Sequence, residues 1–136
     1  MNAEVRSQNA EVTSPELVGD NLKERTRQFA LRIIRLFRSL PRKPEARIIG
    51  NQLLRSGTSV GANYRAACRS RSRNEFIAKI GIVLEEADET VYWLELLRDA
   101  GIIRAEKLSA LITEANELTS IFVASLRTAK GINTAD

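Results

Sequence analysis

Between Glu85 and Glu89 the chain reads Glu-Glu-Ala-Asp-Glu, four carboxylates in five residues. On a helix Glu85 and Glu89 share a face, and Glu86 and Glu89 are also neighbours. Paired carboxylates do acid–base hydrolysis when a cleft holds substrate between them, but no cleft is signalled here. They also bind metals inside helical bundles. Bundle di-iron sites take a Glu from each of two helices and Glu-x-x-His from the other two, and this chain has no histidine. That absence also removes the usual general base, the commonest zinc ligand and the Ser-His-Asp constellation. No phosphate-cradling loop of the Walker type is present. The residues therefore predict no catalytic group, no metal ligand and no cofactor, and so a protein that is not an enzyme.

A second set of polar residues sits in the stretch from Leu53 to Phe76. Gln52, Ser56, Ser59 and Asn63 recur at steps of four, three and four, one stripe of a helix, and Arg55 borders it. The stripe runs beside the apolar positions Leu53 and Val60. Gly57 and Gly61 lie in the same stretch and cost about 1 kcal/mol each against alanine in a helix interior. Close backbone packing would offset that cost, although Gly-x-x-x-Gly is diagnostic only in membrane helices. The expectation is a structural polar network of Gln52, Arg55, Ser59, Asn63, Glu86 and Glu89. In it Arg55 and Asn63 hydrogen-bond to the third-helix carboxylates as buried pairs that fix register more than they stabilise.

The third set is basic. Residues 20–47 carry nine cations and three acids, and residues 51–80 carry six and one, whereas residues 81–106 carry two and seven. Such segregation predicts a basic surface built by the first half of the chain; solvated helix faces are the plain alternative. Arg65 and Arg69 share a helix face, and Arg71 and Arg73 follow in the next turn. Arg25, Arg32, Arg35, Arg38, Arg42 and Lys43 load the first helix and the loop after it. The candidate phosphate contacts are Arg35, Arg38, Arg42, Lys43, Arg65, Arg69, Arg71 and Arg73, acting through charge. Tyr64 and Phe76 read as core, so stacking platforms are not identifiable and contact would be backbone-based. Tyr92, Trp93 and Leu96 add apolar surface beyond the main stripe of their helix, which suggests a homo-oligomer.

The elements that carry these residues are helices. Residues 1–16 lack periodicity and read as a disordered tail; residues 17–131 read as one domain and 132–136 as a short tail. The first helix starts near Pro15 or Asp20, carries Leu22, Phe29, Ile33, Leu36 and Leu40, and stops at Pro41 and Pro44. The second starts near Glu45 with Ile48, Ile49, Leu53, Val60, Tyr64 and Ala67, and ends around Arg69 to Arg71. Ser72 and Glu75 form a capping box ahead of the third. Its stripe is Phe76, Ile80, Val83, Ala87, Thr90, Leu94 and Leu97, closed by Gly101. The fourth begins near Arg104 with Leu108, Leu111, Ala115, Leu118, Phe122 and Leu126 or Ala129, closed by Gly131. Short connections and no strand signal give an all-α, antiparallel up-down four-helix bundle. No apolar run reaches the roughly 20 residues of a membrane span. The polar N-terminus lacks a secretion signal and Cys68 stands alone, which together point to the cytoplasm.

The pattern Gln-x-x-Arg-x-x-x-Ser-x-x-x-Asn, then a Ser-rich turn, a Glu-Phe pair and a Glu-rich helix, appears as Gln52, Arg55, Ser59, Asn63, Ser72, Glu75, Phe76, Glu86 and Glu89. In this the chain resembles the four-helix-bundle family named for proteins encoded in intervening sequences of bacterial 23S ribosomal RNA genes. The likeness runs from about Asn21 to Lys130. Many relatives carry Glu-Gly soon after the Asn, where this chain has Arg65-Ala66-Ala67. The resemblance implies a ring, most commonly a homopentamer, without established enzymatic activity. It also implies kinship with the accessory protein of diversity-generating retroelements, which binds a reverse transcriptase and nucleic acid. The leading expectation is a ring-forming bundle that binds RNA or a nucleic-acid-handling protein through its arginines. The alternatives are a protein-binding scaffold without a nucleic-acid role, and a retroelement accessory protein.

Overall fold

Proline and glycine punctuate the chain. Pro41 and Pro44 stop the first helical stretch, and Gly101 and Gly131 take positive φ where the last two helices end. Between these stops the computed structural model, which describes residues 15–131, forms α1 (Pro15–Arg38), α2 (Pro44–Ala67), α3 (Arg73–Asp99) and α4 (Ala105–Ala129). The expected tails lie outside the described residues, except for Pro15 and Glu16, which belong to α1. Each helix packs on the next in sequence, and α1 meets α4 along a much thinner contact. The result is the expected all-α, antiparallel up-down four-helix bundle.

The ends of the helices follow from local chemistry. Ser72 accepts a hydrogen bond from the Glu75 N–H at 3.1 Å and caps α3. Glu75 reaches back to the Arg71 N–H at 2.7 Å rather than to that of Ser72 itself, so the capping box is stretched by one residue. At the other end of α3, Gly101 N–H bonds to Arg98 O and Ile102 N–H to Leu97 O, both at 3.0 Å. This double closure needs the left-handed φ of +71° that Gly101 supplies.

The core lies where the stripes meet. Ile80, Val83, Ala87, Thr90, Leu94 and Leu97 of α3 are all buried, as are Leu108, Leu111, Ala115, Leu118 and Phe122 of α4. Phe29 and Ile33 come from α1, and Leu53, Val60 and Tyr64 from α2. Each large side chain so buried stabilises the fold by roughly 1.5–3 kcal/mol. Tyr64 and Phe122 meet across the bundle with ring centroids 5.6 Å apart. One expected core position is wrong: Ile48 is 65% exposed. It falls on the stripe of Gln52, Arg55 and Ser59, which borders the α2–α3 seam, whereas Ala46, Ile49 and Leu53 turn inward.

The two mid-helix glycines are explained by α1. A Cβ on Gly57 would lie 2.8 Å from Ile33 Cγ1 and 2.9 Å from its Cγ2. One on Gly61 would lie 3.2 Å from Thr26 Oγ1 and 3.3 Å from the Thr26 carbonyl oxygen. Ile33 and Thr26 are fully buried, and the Thr26 hydroxyl donates to Leu22 O at 2.8 Å, which frees it from needing a partner on α2. The glycines thus let α2 lie directly on the backbone and β-carbons of α1.

Candidate functional site

Up-down topology decides where the basic residues go. Arg35 and Arg38 close α1, and Arg42 and Lys43 follow in its turn. Arg65 closes α2 and Arg69, Arg71 and Arg73 follow. The two groups therefore sit at opposite ends of α2, whose 24 residues span about 36 Å. The basic surface expected from the first half of the chain is two surfaces, because an up-down chain sends alternate turns to opposite poles.

The two poles differ. All eight candidate side chains are exposed, and among the described residues none makes an ion pair. At the α1–α2 turn, Glu45 and the α3–α4 turn's Asp99 and Glu106 stand at the same end of the bundle as the cations. Arg98 pairs with Asp99 at 2.8 Å and Arg104 with Glu106 at 3.6 Å. A recess of about 240 Å³ there is lined by Arg38, Arg42 and Arg47. At the α2–α3 turn α4 adds Arg127 and Lys130, α1 begins at the same end with Glu16 and Asp20 in its sequence, and Glu75 places its carboxylate on the Arg71 N–H. Arg71 and Arg73 stand at the N-terminus of α3, where the helix dipole disfavours a cation. Helix stability does not account for them. Ser70 Oγ, between Arg69 and Arg71, is buried without a hydrogen-bond partner among the described residues.

Arg25, read from sequence as part of the basic load, is engaged elsewhere. Its Nε and Nη2 donate to Glu114 at 2.8 and 2.7 Å, and Nη2 also to Glu117 at 2.8 Å. The hydrogen bond that Arg25 donates to Glu114, reinforced by the charge of both carboxylates, raises the guanidinium pKa above its ordinary value. This fork clasps α1 to α4 where the backbones meet least.

The polar stripe of α2 faces α3. Arg55 donates through Nη1 to Glu86 at 3.1 Å, through Nη2 to Glu89, and through Nε to Gln52 Oε1 at 3.3 Å. Trp93 Nε1 donates to the same Glu89 oxygen at 2.9 Å. That bond, ahead of Arg55, holds the Glu89 carboxyl below the ordinary carboxylate range; Glu89 in turn raises the Arg55 pKa. The group is not buried as expected, since the Arg55 side chain is 47% exposed. Beneath it the Ser56 and Thr90 hydroxyls meet at 2.9 Å, fully buried, and fix the register of α2 on α3. Ser59 Oγ donates to Arg55 O at 2.7 Å. Asn63 Nδ2 donates to Ser59 O at 2.8 Å rather than to a carboxylate. Side-chain length explains the difference: with Ser56 against Thr90, Asn63 lies level with Val83 and Arg55 with Val91, so neither stands directly opposite Glu86, and the long guanidinium arm spans the offset while the short amide turns back to its own helix.

The acidic cluster does not assemble a metal site. Among the described residues no group of three or more His, Cys, Asp or Glu side chains is placed to hold an ion. Nor, among these residues, is any helix long and apolar enough to cross a membrane.

One arrangement is not evident in the sequence. Lys23 and Arg27 of α1 face Arg65 and Arg69 of α2 across a groove of about 590 Å³. The signal lay in the equal four-residue spacing of the two pairs, which becomes visible only once the glycines set α1 against α2.

The family model described as 23S rRNA-intervening sequence protein matches residues 21–124. Among solved structures, the chain is similar to the crystal structure of a protein of unknown function from the S23 ribosomal protein family of Bacteroides thetaiotaomicron VPI-5482. The two share 36% sequence identity over 80% of this chain and 97% of that one, with a TM-score of 0.74. No curated protein is a match for this chain.

Proposed function

This chain belongs to the 23S rRNA-intervening sequence protein family, and from that premise we propose that it is a non-enzymatic, cytoplasmic binding module that docks on nucleic-acid backbone through the basic pole at its α2–α3 turn. The observation that carries this reading is the composition of that pole. Arg65, Arg69, Arg71 and Arg73 are exposed and free of carboxylate partners among the described residues, with Arg127 and Lys130 beside them. Exposed guanidinium groups of this kind take phosphate by charge-assisted, often bidentate hydrogen bonds. With no aromatic platform among them, the contact reads backbone and is sequence-tolerant. The test is fluorescence anisotropy of the purified protein with structured RNA, single-stranded RNA and duplex DNA over a salt series. Micromolar or tighter binding with a steep salt slope supports the reading. No binding at low salt retires it and leaves the pole as a surface for an acidic protein.

A second observation favours self-assembly. Tyr92 is 54% exposed and stacks edge-on against Trp93 at 4.9 Å, and Ile48 and Ile82 are also exposed. Apolar and aromatic side chains of this kind mark contact surfaces. We propose a homo-oligomer, with five copies following from the family resemblance; light scattering after size exclusion gives the copy number, and a monomer at micromolar concentration would refute it.

A further inference from the structure

The α1–α2 groove has a shape and charge that the poles alone do not have. Its walls are cationic: Lys23 and Arg27 on α1, Arg65 and Arg69 on α2. Within each pair the residues are four apart, so they stand one above the other, about 5–6 Å apart at Cβ. The floor between them is made of Gly61 and Ala62 with neighbouring small side chains. Gly61 is held small by Thr26, whose carbonyl oxygen would lie 3.3 Å from any Cβ there, so the floor stays low. Glu24 is the one acid in the lining, and it is already engaged by Gln28 Nε2 at 2.7 Å and by Arg27 at 3.6 Å. Arg65 and Arg69 have no carboxylate partner among the described residues. No aromatic side chain lines the groove.

Two facing rows of evenly spaced cations fit a ligand that is elongated and carries anions at regular intervals. A phosphodiester strand has that form. The two helices touch at the floor, where Gly61 meets Thr26, so the cation rows flank a single furrow, a track for one strand rather than two. A duplex, with its two backbones far apart, reaches only the rim. We propose that the α1–α2 groove seats a single nucleic-acid strand by its backbone, with consecutive phosphates held between the α1 and α2 cations and the bases turned outward. This rests on the reading of the basic pole as a phosphate-binding surface, and it names the track and the strandedness.

The experiment compares fluorescently labelled oligouridylate, an RNA duplex of equal length and polyglutamate, by anisotropy across a salt series. The proteins are wild type, Lys23→Ala/Arg27→Ala, Arg65→Ala/Arg69→Ala and Arg71→Ala/Arg73→Ala. All substitutions are at exposed positions, and circular dichroism checks that each variant is folded. The groove predicts tighter binding of the single strand than of the duplex. It also predicts that Arg65→Ala/Arg69→Ala lowers the salt slope by about 1.4, the share of two phosphates on a single strand, that Lys23→Ala/Arg27→Ala lowers it by a smaller but clear amount because Arg27 also pairs with Glu24, and that the turn variant lowers it less than either. If the duplex binds at least as well and all three variants lose equally, the groove is overturned while the basic pole stands. If neither nucleic acid binds, both readings fall. Wall-sensitive binding of polyglutamate alone would reassign the groove to an acidic peptide and also overturn the proposal.

Discussion

Replacing Gly57 with alanine sets two known effects against each other. Alanine is favoured over glycine in a helix interior by about 1 kcal/mol. Against this, the new Cβ meets Ile33 Cγ1 at 2.8 Å and Cγ2 at 2.9 Å. These atoms are not a flexible side-chain tip. They branch directly from the Cβ of a fully buried residue whose χ1 is fixed by its helix. Overpacking of this kind costs about 1–3 kcal/mol, so Gly57→Ala is expected to lose up to about 2 kcal/mol. In an Ile33→Ala background both clashing atoms are gone and only Cβ remains, at 3.3 Å. There the same substitution is expected to gain about 1 kcal/mol, giving a coupling of roughly 1–3 kcal/mol. Ile33→Ala itself costs about 2–5 kcal/mol, which a domain of ordinary stability survives. Urea unfolding followed by far-UV circular dichroism supplies the four free energies. Gly81, with no atom within 4 Å of its would-be Cβ, is the internal control, and Gly81→Ala should stabilise by about 1 kcal/mol. If Gly57→Ala stabilises as much as Gly81→Ala does, close approach of α1 is not why the glycine is there.

Three further outcomes follow from the polar groups. Arg55→Met combined with Glu86→Gln should show a coupling of about 0.2–1 kcal/mol, the range of a solvent-bordered pair; a coupling of zero would remove Glu86 from the network. Glu89 is held below the ordinary carboxylate range by Trp93 and Arg55. Its contribution to stability is therefore present above the unfolded glutamate pKa of about 4.5 and is lost as pH falls through the lower folded value. Trp93, the only tryptophan, should report that titration by its emission, and Glu89→Gln should abolish the acid step; an unchanged profile would refute the assignment. Ser70→Ala removes a buried hydroxyl that has no partner among the described residues, and urea melts should show it neutral or stabilising by up to about 1 kcal/mol; a clear loss would reveal a bond to Ser70.

The bundle was legible because periodicity and punctuation agree. The α3 stripe from Ile80 to Leu97 is buried residue for residue, and Ser72, Gly101 and Gly131 mark helix ends by their own backbone chemistry. Spacing within a helix says which residues share a face, but it does not say which neighbour that face meets. Ile48 misled because a stripe beside the core has the same period as one facing it. Arg25 looked like surface charge because Glu114 and Glu117 lie about ninety residues away in sequence. Asn63 shares its face with Arg55 but not the carboxylates, since its short amide turns back to Ser59 O where the long Arg55 arm crosses to α3. The arginines read as one basic surface until the topology divided them between two poles, and Lys23 with Arg27 went unremarked until Gly57 and Gly61 brought α1 against α2.

One pole, at the α2–α3 turn, is proposed to meet phosphate. Two quadruple variants remove the same charge from opposite ends: Arg65, Arg69, Arg71 and Arg73 to Ala, against Arg35, Arg38, Arg42 and Lys43 to Ala. Salt-dependent anisotropy with a single-stranded RNA then separates local contact from overall charge. The first variant is expected to lower the salt slope by at least about 1.4 and to bind weakly at any salt, while the second stays close to wild type. Equal losses in both variants, or a larger loss in the second, would contradict it.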